Sequence, residues 1–374
     1  MAVIEGRDPA TGAALVVEMS SNTITSVHRR TTTDRSLPWV LPGLIDVQVN
    51  GYAGHDVNGD GVSAESVAEI TDKLARHGVT TWVPTVVTAS EEAIIASLRA
   101  VSAARADDPQ VAAAIPFCHI EGPFLSELDG PRGAHDIDQI RPLAANEVAR
   151  WAEHGPVGYI TLSPHTSEAP EHIAQIVASG CQVAIGHTHA SPAQITAAVD
   201  AGASLSTHLG NGIFASLPRH PNPIWTQLAD PRLTCGFIGD GHHLPADALT
   251  AMIRAKGPGK AFLVSDSVAL AGSPPGLYDA PVGGAVEMRN NGSLVLAGTN
   301  LLAGSAVNLS DVLSFVLNHT ALALEEIVDL VCTVPSRIIR DPSRGRVQAG
   351  HRADLVLIDN HGAVMDVVRG GQLL

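Results

Sequence analysis

Polar and ionisable side chains recur in this chain directly behind short apolar runs that read as β-strands, and that placement restricts the fold more than any other feature. Gln48-Val49-Asn50 ends one run and His119-Ile120-Glu121-Gly122-Pro123 another. Gly186-His187-Thr188-His189, Thr207-His208-Leu209, Asp240-Gly241-His242-His243 and Ser265-Asp266 follow. Segments so far apart in sequence build one site when their strands stand side by side and end on the same side. A (β/α)8 barrel collects its catalytic groups in that way.

The spacing of the runs supports the same architecture. Eight apolar runs, at 40–49, 80–88, 111–120, 157–163, 182–186, 203–207, 233–239 and 261–265, alternate with segments of helical period such as 63–77 and 91–105. Ser63 followed by Ser66, and Ser90 followed by Glu91, carry helix-start chemistry, and Gly78 after His77 a helix stop. Two more helices are expected at 305–319 and 323–339. Residues 1–39 and 344–374 instead show short alternating strands with turn residues between them. The expected organisation is a small β-sandwich of 1–39 and 344–374, which the stretch 285–298 could join, and a catalytic barrel spanning 40–343. The whole length, 374 residues, holds a barrel of ordinary size with roughly a hundred residues left over.

Within that frame, Glu121, His187 and His208 end strands at the same end of the expected barrel. One carboxylate and two imidazoles with an open position make a catalytic zinc shell. The alternative for any single histidine is a hydrogen bond within its loop, and three candidates on one face favour metal. Asp266, behind the eighth run, could take a proton from water and pass it to a leaving amine; Ser265-Asp266-Ser267 is equally helix-cap chemistry. His119, His165, His189 and His242 are expected to support these groups or to be structural. His135 lies in a Gly- and Pro-rich loop able to fold over the pocket. Arg219, in the loop Leu217-Pro218-Arg219-His220-Pro221, is a candidate anion clamp, or a solvated surface charge.

Charge and composition narrow the function. A net charge of −15 argues against general binding to nucleic acid or a membrane surface. The 4 cysteines (Cys118, Cys181, Cys235 and Cys332) form no CxxC pair and read as buried free thiols, which suits a reducing cytoplasm. No signal-peptide pattern is evident at the N-terminus, and no apolar run has membrane-spanning length.

The segments LPGLIDVQVNGYAG, HIEGPFLS, RGAHD, IGHTHA, STHLGNGI, GDGHHL, LVSDSVALAG, LLAGSAVNL and GRVQAGHRADLVLID, in this order from about residue 40 to residue 358, resemble N-acetylglucosamine-6-phosphate deacetylases of the amidohydrolase superfamily. The resemblance implies a (β/α)8 TIM-like metal-dependent hydrolase in the cytoplasm, acting on a small phosphosugar and removing acetate from N-acetyl-D-glucosamine 6-phosphate in amino-sugar catabolism and cell-wall recycling. It implies one divalent ion, Zn2+ first and Fe2+, Mn2+ or Co2+ as alternatives, held by Glu121, His187 and His208. Asp266 would be the general base and then the general acid, and His135 would polarise the acetamide carbonyl. Asn211 and Gly212 would contact the sugar. Arg219 and His243 would bind the 6-phosphate, with some of these contacts made across a homodimer. The superfamily's usual His-x-His after the first strand is here Gln48-Val49-Asn50. Amides are weaker ligands than imidazole, which favours a single metal and leaves Gln48 and Asn50 as a weak second-metal or water-holding position.

Rival hydrolases of the superfamily, such as dihydroorotases and hydantoinases, use a carboxylated lysine. The lysines here, Lys73, Lys256 and Lys260, end no expected strand. A nucleobase deaminase would carry His-x-His on the first strand. A barrel retained as a scaffold would have no need of Glu121, His187, His208 and Asp266 together.

Overall fold

The computed structural model describes residues 2–59, 61–281 and 283–374. Eight parallel strands lie side by side in chain order: Leu44–Val49, Val79–Val87, Cys118–Glu121, Val157–Leu162, Gln182–Ile185, Leu205–Ser206, Thr234–Ile238 and Ala261–Val264. The site segment itself closes the ring. The Asp266 N–H donates to the Gln48 carbonyl at 3.0 Å, and the Asn50 N–H to the Ser267 carbonyl at 2.8 Å.

Strand periodicity divides the core into two layers. Ile45, Val47, Tyr159, Ala184, Phe262 and Val264 share one buried cluster with Val334, Ile338 and Ile339. Their strand neighbours Leu44, Ile160, Val183, Ile185 and Leu263 pack with helix residues such as Ile70, Leu74, Leu98 and Ile173. Alternate strand residues face opposite ways, so the first cluster fills the barrel and the second joins barrel to helices. Emptying one of these positions, as in Ile45→Ala, costs about 2–5 kcal/mol.

The helices start where their caps stand. Ser63 and Ser66 form a reciprocal capping box at Ala64–Arg76, and Ser90 accepts from the Ala93 N–H at the head of Glu91–Asp107. The expected helix at 305–319 begins later, at Leu309, because Asn308 caps it. The one expected at 323–339 runs without interruption from Leu324 to Ile338, as Leu324–Val328, a π-helical turn Asp329–Thr333 and Val334–Ile338.

The terminal segments form one seven-stranded sheet in the order Gln372–Leu373, Val364–Arg369, Leu355–Ile358, Trp39–Pro42, Ala2–Arg7, Ala14–Ser20, Thr23–Arg30. The sheet folds over its own core of Leu15, Val17, Met19, Ile24, Val40, Leu355, Leu357 and Val368. Bonds from the Ile24 N–H to the His351 carbonyl and from the Gly350 N–H to the Ile24 carbonyl, both 2.8 Å, tie the edge strand Thr23–Arg30 to the segment that leads into Leu355–Ile358.

Three expectations need correction. The run 40–49 is not one barrel strand. Its first part belongs to Trp39–Pro42 in the terminal sheet, and the chain crosses to the barrel at Gly43, where a Cβ would lie 2.1 Å from Thr80 Oγ1. In the run 111–120 the first residues are helical, in Pro109–Ala114, and the strand starts only at Cys118. The stretch 285–298 does not join the terminal sheet. It belongs to a separate three-stranded antiparallel sheet of Gly276–Ala280, Gly284–Met288 and Leu294–Leu296, inserted after the eighth barrel strand. No helix among the described residues is long and apolar enough to cross a membrane.

Candidate active site

Glu121 is the last residue of its strand, and the chain turns immediately at Gly122, where φ is 85° and a Cβ would lie 2.1 Å from Thr88 Oγ1. His187, His208 and Asp266 each stand two residues beyond the end of their strand, with φ of 47°, 27° and 53°. Left-handed backbone at non-glycine residues costs of order 1–3 kcal/mol each and gathers at functional sites. Here it turns three side chains from strand ends into one cavity of about 580 Å³.

Three ligand-type atoms meet there. Glu121 Oε1 lies 2.9 Å from His208 Nε2 and 3.2 Å from His187 Nε2, and the two imidazole nitrogens are 3.1 Å apart. Ligands at zinc-type bond lengths of about 2.0–2.1 Å in tetrahedral array stand roughly 3.3 Å apart, so the triangle has the size of an ion's coordination edge. His187 Nδ1 faces the Pro131 carbonyl at 2.9 Å, which turns its Nε2 lone pair inward. Burial works to raise Glu121, but the hydrogen bonds from His187 and His208 overcome it and hold the carboxyl well below the usual carboxylate range. His208 shows the converse: burial opposes its charge, and Glu121 more than compensates, raising it.

His135 stands against this triangle, with Nε2 3.2 Å from His187 Nε2, its rings edge-on and its Nδ1 buried without a partner. The ligand-type atoms of Glu121, His135 and His187 lie within 4.8 Å of one another, so His135 is a fourth candidate donor as well as a group facing substrate. Burial, and then the neighbouring His187, push His135 down to about 3, which keeps it neutral. Asp266 is pushed up to about 6 by burial and by the Glu121 charge, close to the range where a group gives and takes protons at neutral pH.

The other expected residues divide. Asn211, Gly212 and His243 line the cavity. Gly212 packs on the His187 ring, and its carbonyl accepts from the Thr188 N–H at 3.2 Å. His243 Nδ1 lies 2.7 Å from Asp240 Oδ2. Burial opposes that carboxylate's charge, but the His243 hydrogen bond holds Asp240 down at about 2. Arg219 is exposed in the 214–221 loop, outside the cavity lining, and among the described residues that line the cavity there is no arginine or lysine. Gln48 and Asn50 are buried beside Asp266.

His119 lies below the site, inside the barrel. Its Nε2 is 2.7 Å from Thr161 Oγ1, its Nδ1 is 3.2 Å from Thr85 Oγ1, and its ring stacks on Tyr159. His165 and His189 pair with Ser163 and Ser126 away from the cavity, at 2.7 and 2.6 Å. The sequence reading gave no role to Asn300–Gly304, which line the cavity from behind the inserted sheet. The signal was present in LLAGSAVNL, but only folding brings that segment back: the Ser305 N–H donates to the Asp266 carbonyl at 3.0 Å.

The family model described as "Amidohydrolase family" matches residues 39–374. The chain is 33% identical to an N-acetylgalactosamine-6-phosphate deacetylase of Shewanella sp. (strain ANA-3), over 90% of this chain and 83% of the relative. It is 30% identical to an N-acetylglucosamine-6-phosphate deacetylase of Rattus norvegicus, with the same coverage of 90% and 83%. Among solved structures, the N-acetyl-D-glucosamine-6-phosphate deacetylase of Mycobacterium smegmatis superposes with a TM-score of 0.87 at 30% identity, covering 96% of this chain and 95% of that one.

Proposed function

We propose that this chain, which belongs to the amidohydrolase family, removes acetate from N-acetyl-D-glucosamine 6-phosphate. The observation that carries the reading is the Glu121–His187–His208 triangle with Asp266 in the same cavity, in a chain whose relatives at 30% identity or more are named amino-sugar phosphate deacetylases.

The donor set, one carboxylate oxygen and two imidazole nitrogens at coordination-edge spacing, fits a divalent ion. Such an ion, zinc first among the candidates, would supply Lewis-acid polarisation of the acetamide carbonyl and a lowered pKa for the attacking water. Asp266 takes that water's proton as the new C–O bond forms and delivers it to the amine nitrogen as the C–N bond breaks, leaving glucosamine 6-phosphate and acetate. His135, neutral through burial, offers an N–H to the oxyanion that develops on the substrate. Asn211 and Gly212 border the sugar.

His243, with Nδ1 engaged by Asp240, presents its other nitrogen to the phosphate. A dianionic phosphate calls for more positive charge than this lining supplies. The reading therefore places Arg219 of a second copy at the cavity, in a homodimer. Two exposed apolar side chains of the cavity lining, Phe214 and Leu301, with exposed Trp225 next to the lining residue Ile224, suit such a contact.

The test is acetate release from N-acetylglucosamine 6-phosphate, from its galactosamine epimer and from unphosphorylated N-acetylglucosamine, each with and without prior chelation. Chelator-sensitive release from the phosphorylated sugars alone is expected. Equal rates with and without phosphate would overturn the phosphate assignment, and absence of release from protein shown to hold metal would overturn the function.

A further inference from the structure

The side-chain amides of Gln48 and Asn50 converge on one oxygen of Asp266. Gln48 Nε2 lies 3.1 Å from Asp266 Oδ1 and 3.1 Å from Glu121 Oε2, and Asn50 Nδ2 lies 2.8 Å from Asp266 Oδ1. Gln48 is 2% exposed and Asn50 4%. Both are anchored through the main chain to the segment they serve: the Gln48 carbonyl accepts the Asp266 N–H at 3.0 Å, and the Asn50 N–H donates to the Ser267 carbonyl at 2.8 Å. Asn50 Nδ2 reaches the same Ser267 carbonyl at 3.2 Å.

An amide NH2 carries two N–H donors, so Gln48 can give one to each carboxylate. That offsets the repulsion between two buried acids and ties their orientations together. Glu121 then turns Oε2 to the amide and Oε1 to the imidazoles. Asp266 has both donors on Oδ1, which leaves Oδ2 for the cavity that Asp266 lines. A carboxylate's terminal torsion is otherwise broad and two-fold, and either oxygen could face the substrate. Imidazoles at positions 48 and 50 would offer nitrogen lone pairs to a cation; the amide nitrogens offer only N–H, which suits them to holding the carboxylates, and their lone pairs are confined to the weaker amide oxygens.

We propose that Gln48 and Asn50 are positioning residues that pin Asp266 Oδ1 so that Oδ2 alone exchanges protons with the reacting groups, Gln48 coupling that orientation to Glu121. The inference rests on the reading of Asp266 as the proton carrier.

The two amides should have different signatures. The Asn50 side chain hydrogen-bonds Asp266 and the Ser267 carbonyl, whereas Gln48 also bonds Glu121, so Asn50→Leu should lower kcat about 10- to 100-fold with KM within about twofold and bound metal per chain unchanged. Gln48→Met should lower kcat similarly and also weaken metal retention during chelator titration, about 10- to 100-fold. Asn50→Ala, which keeps the fold with a smaller side chain, is the second variant should leucine not be accommodated, and the same kcat loss is expected. Metal-loaded Asn50 variants with parental kcat, or a loss that appears wholly in KM or metal content, would overturn the proposal. Asp266→Asn separates the two ideas. If that variant turns over normally, the reading of Asp266 falls. If it is inactive while Asn50→Leu is parental, only the positioning role falls.

Discussion

Gly212 approaches His187 so closely that a Cβ built on it would lie 2.8 Å from the imidazole Nδ1. The glycine also stands at φ 59°, in the left-handed region, so the loop after the sixth strand reaches the ring only because this residue has no side chain. Gly212→Ala should therefore displace the His187 ring as well as strain the backbone. The strain alone costs roughly 1–2 kcal/mol, and Gly12→Ala, at φ 68° with nothing within 4 Å, isolates it. Gly12→Ala should lose the strain alone, Gly212→Ala that strain and more, and only Gly212→Ala should lose bound metal and activity. Equal metal content in the two by elemental analysis would sink the idea that Gly212 supports the ring.

Asp240 gives the cavity its most direct hold on a histidine that is not among the ligand candidates. Asp240→Asn keeps the shape but removes the charge paired with His243. The expected result is a KM for the phosphorylated sugar raised about tenfold, the scale of one charge-assisted hydrogen bond, with kcat changed less. A kcat loss with unchanged KM would move Asp240 from phosphate binding to the chemistry.

Asp46 lies fully buried one layer below the site, its Oδ1 accepting from the Gln48 and Ser265 N–H groups and its Oδ2 without a partner. Burial pushes the carboxyl up to about 7. The folded chain thus keeps a proton that the unfolded chain releases near pH 4. Between those values the native state binds more protons, so the contribution to stability is full below the lower value, falls as pH rises, and is gone above the upper one. Asp46→Asn should flatten that fall: its Tm advantage over the parent should be larger at pH 8 than at pH 5. A difference constant across that range would show that Asp46 does not carry the proton.

Cys118, Cys181, Cys235 and Cys332 are all buried and free. Burial pushes the Cys118 and Cys181 thiols up to about 12 and raises Cys235 and Cys332 as well. The thiolate is the reactive form, so the native protein should be inert to a thiol-disulfide reagent at pH 8 and should react at all four positions once unfolded. Fast labelling of the native protein, with activity lost in step, would show one of them to be accessible at the site.

Much of this architecture was legible in the sequence because it depends on local periodicity. Eight apolar runs marked the barrel strands, serines marked the starts of Ala64–Arg76 and Glu91–Asp107, and the strand-end positions of Glu121, His187, His208 and Asp266 follow from where each run stops. What the chain could not announce locally was pairing across distance. Nothing in the run 40–49 says that Trp39–Pro42 pairs with Leu355–Ile358 while Leu44–Val49 pairs with Val79–Val87; backbone crowding at Gly43 and the partners' registers decide it. Nor does one chain's order reveal that the Gln48 and Asn50 amides fall on the same oxygen of a residue more than two hundred positions later, or that Arg219 stays outside the cavity while Asn300–Gly304 come into it. Residue type and strand position determine which chemistry the chain carries. Barrel closure and the left-handed turns at His187, His208 and Asp266 decide which atoms meet, because hydrogen-bond geometry is set by fractions of an ångström that no linear pattern encodes.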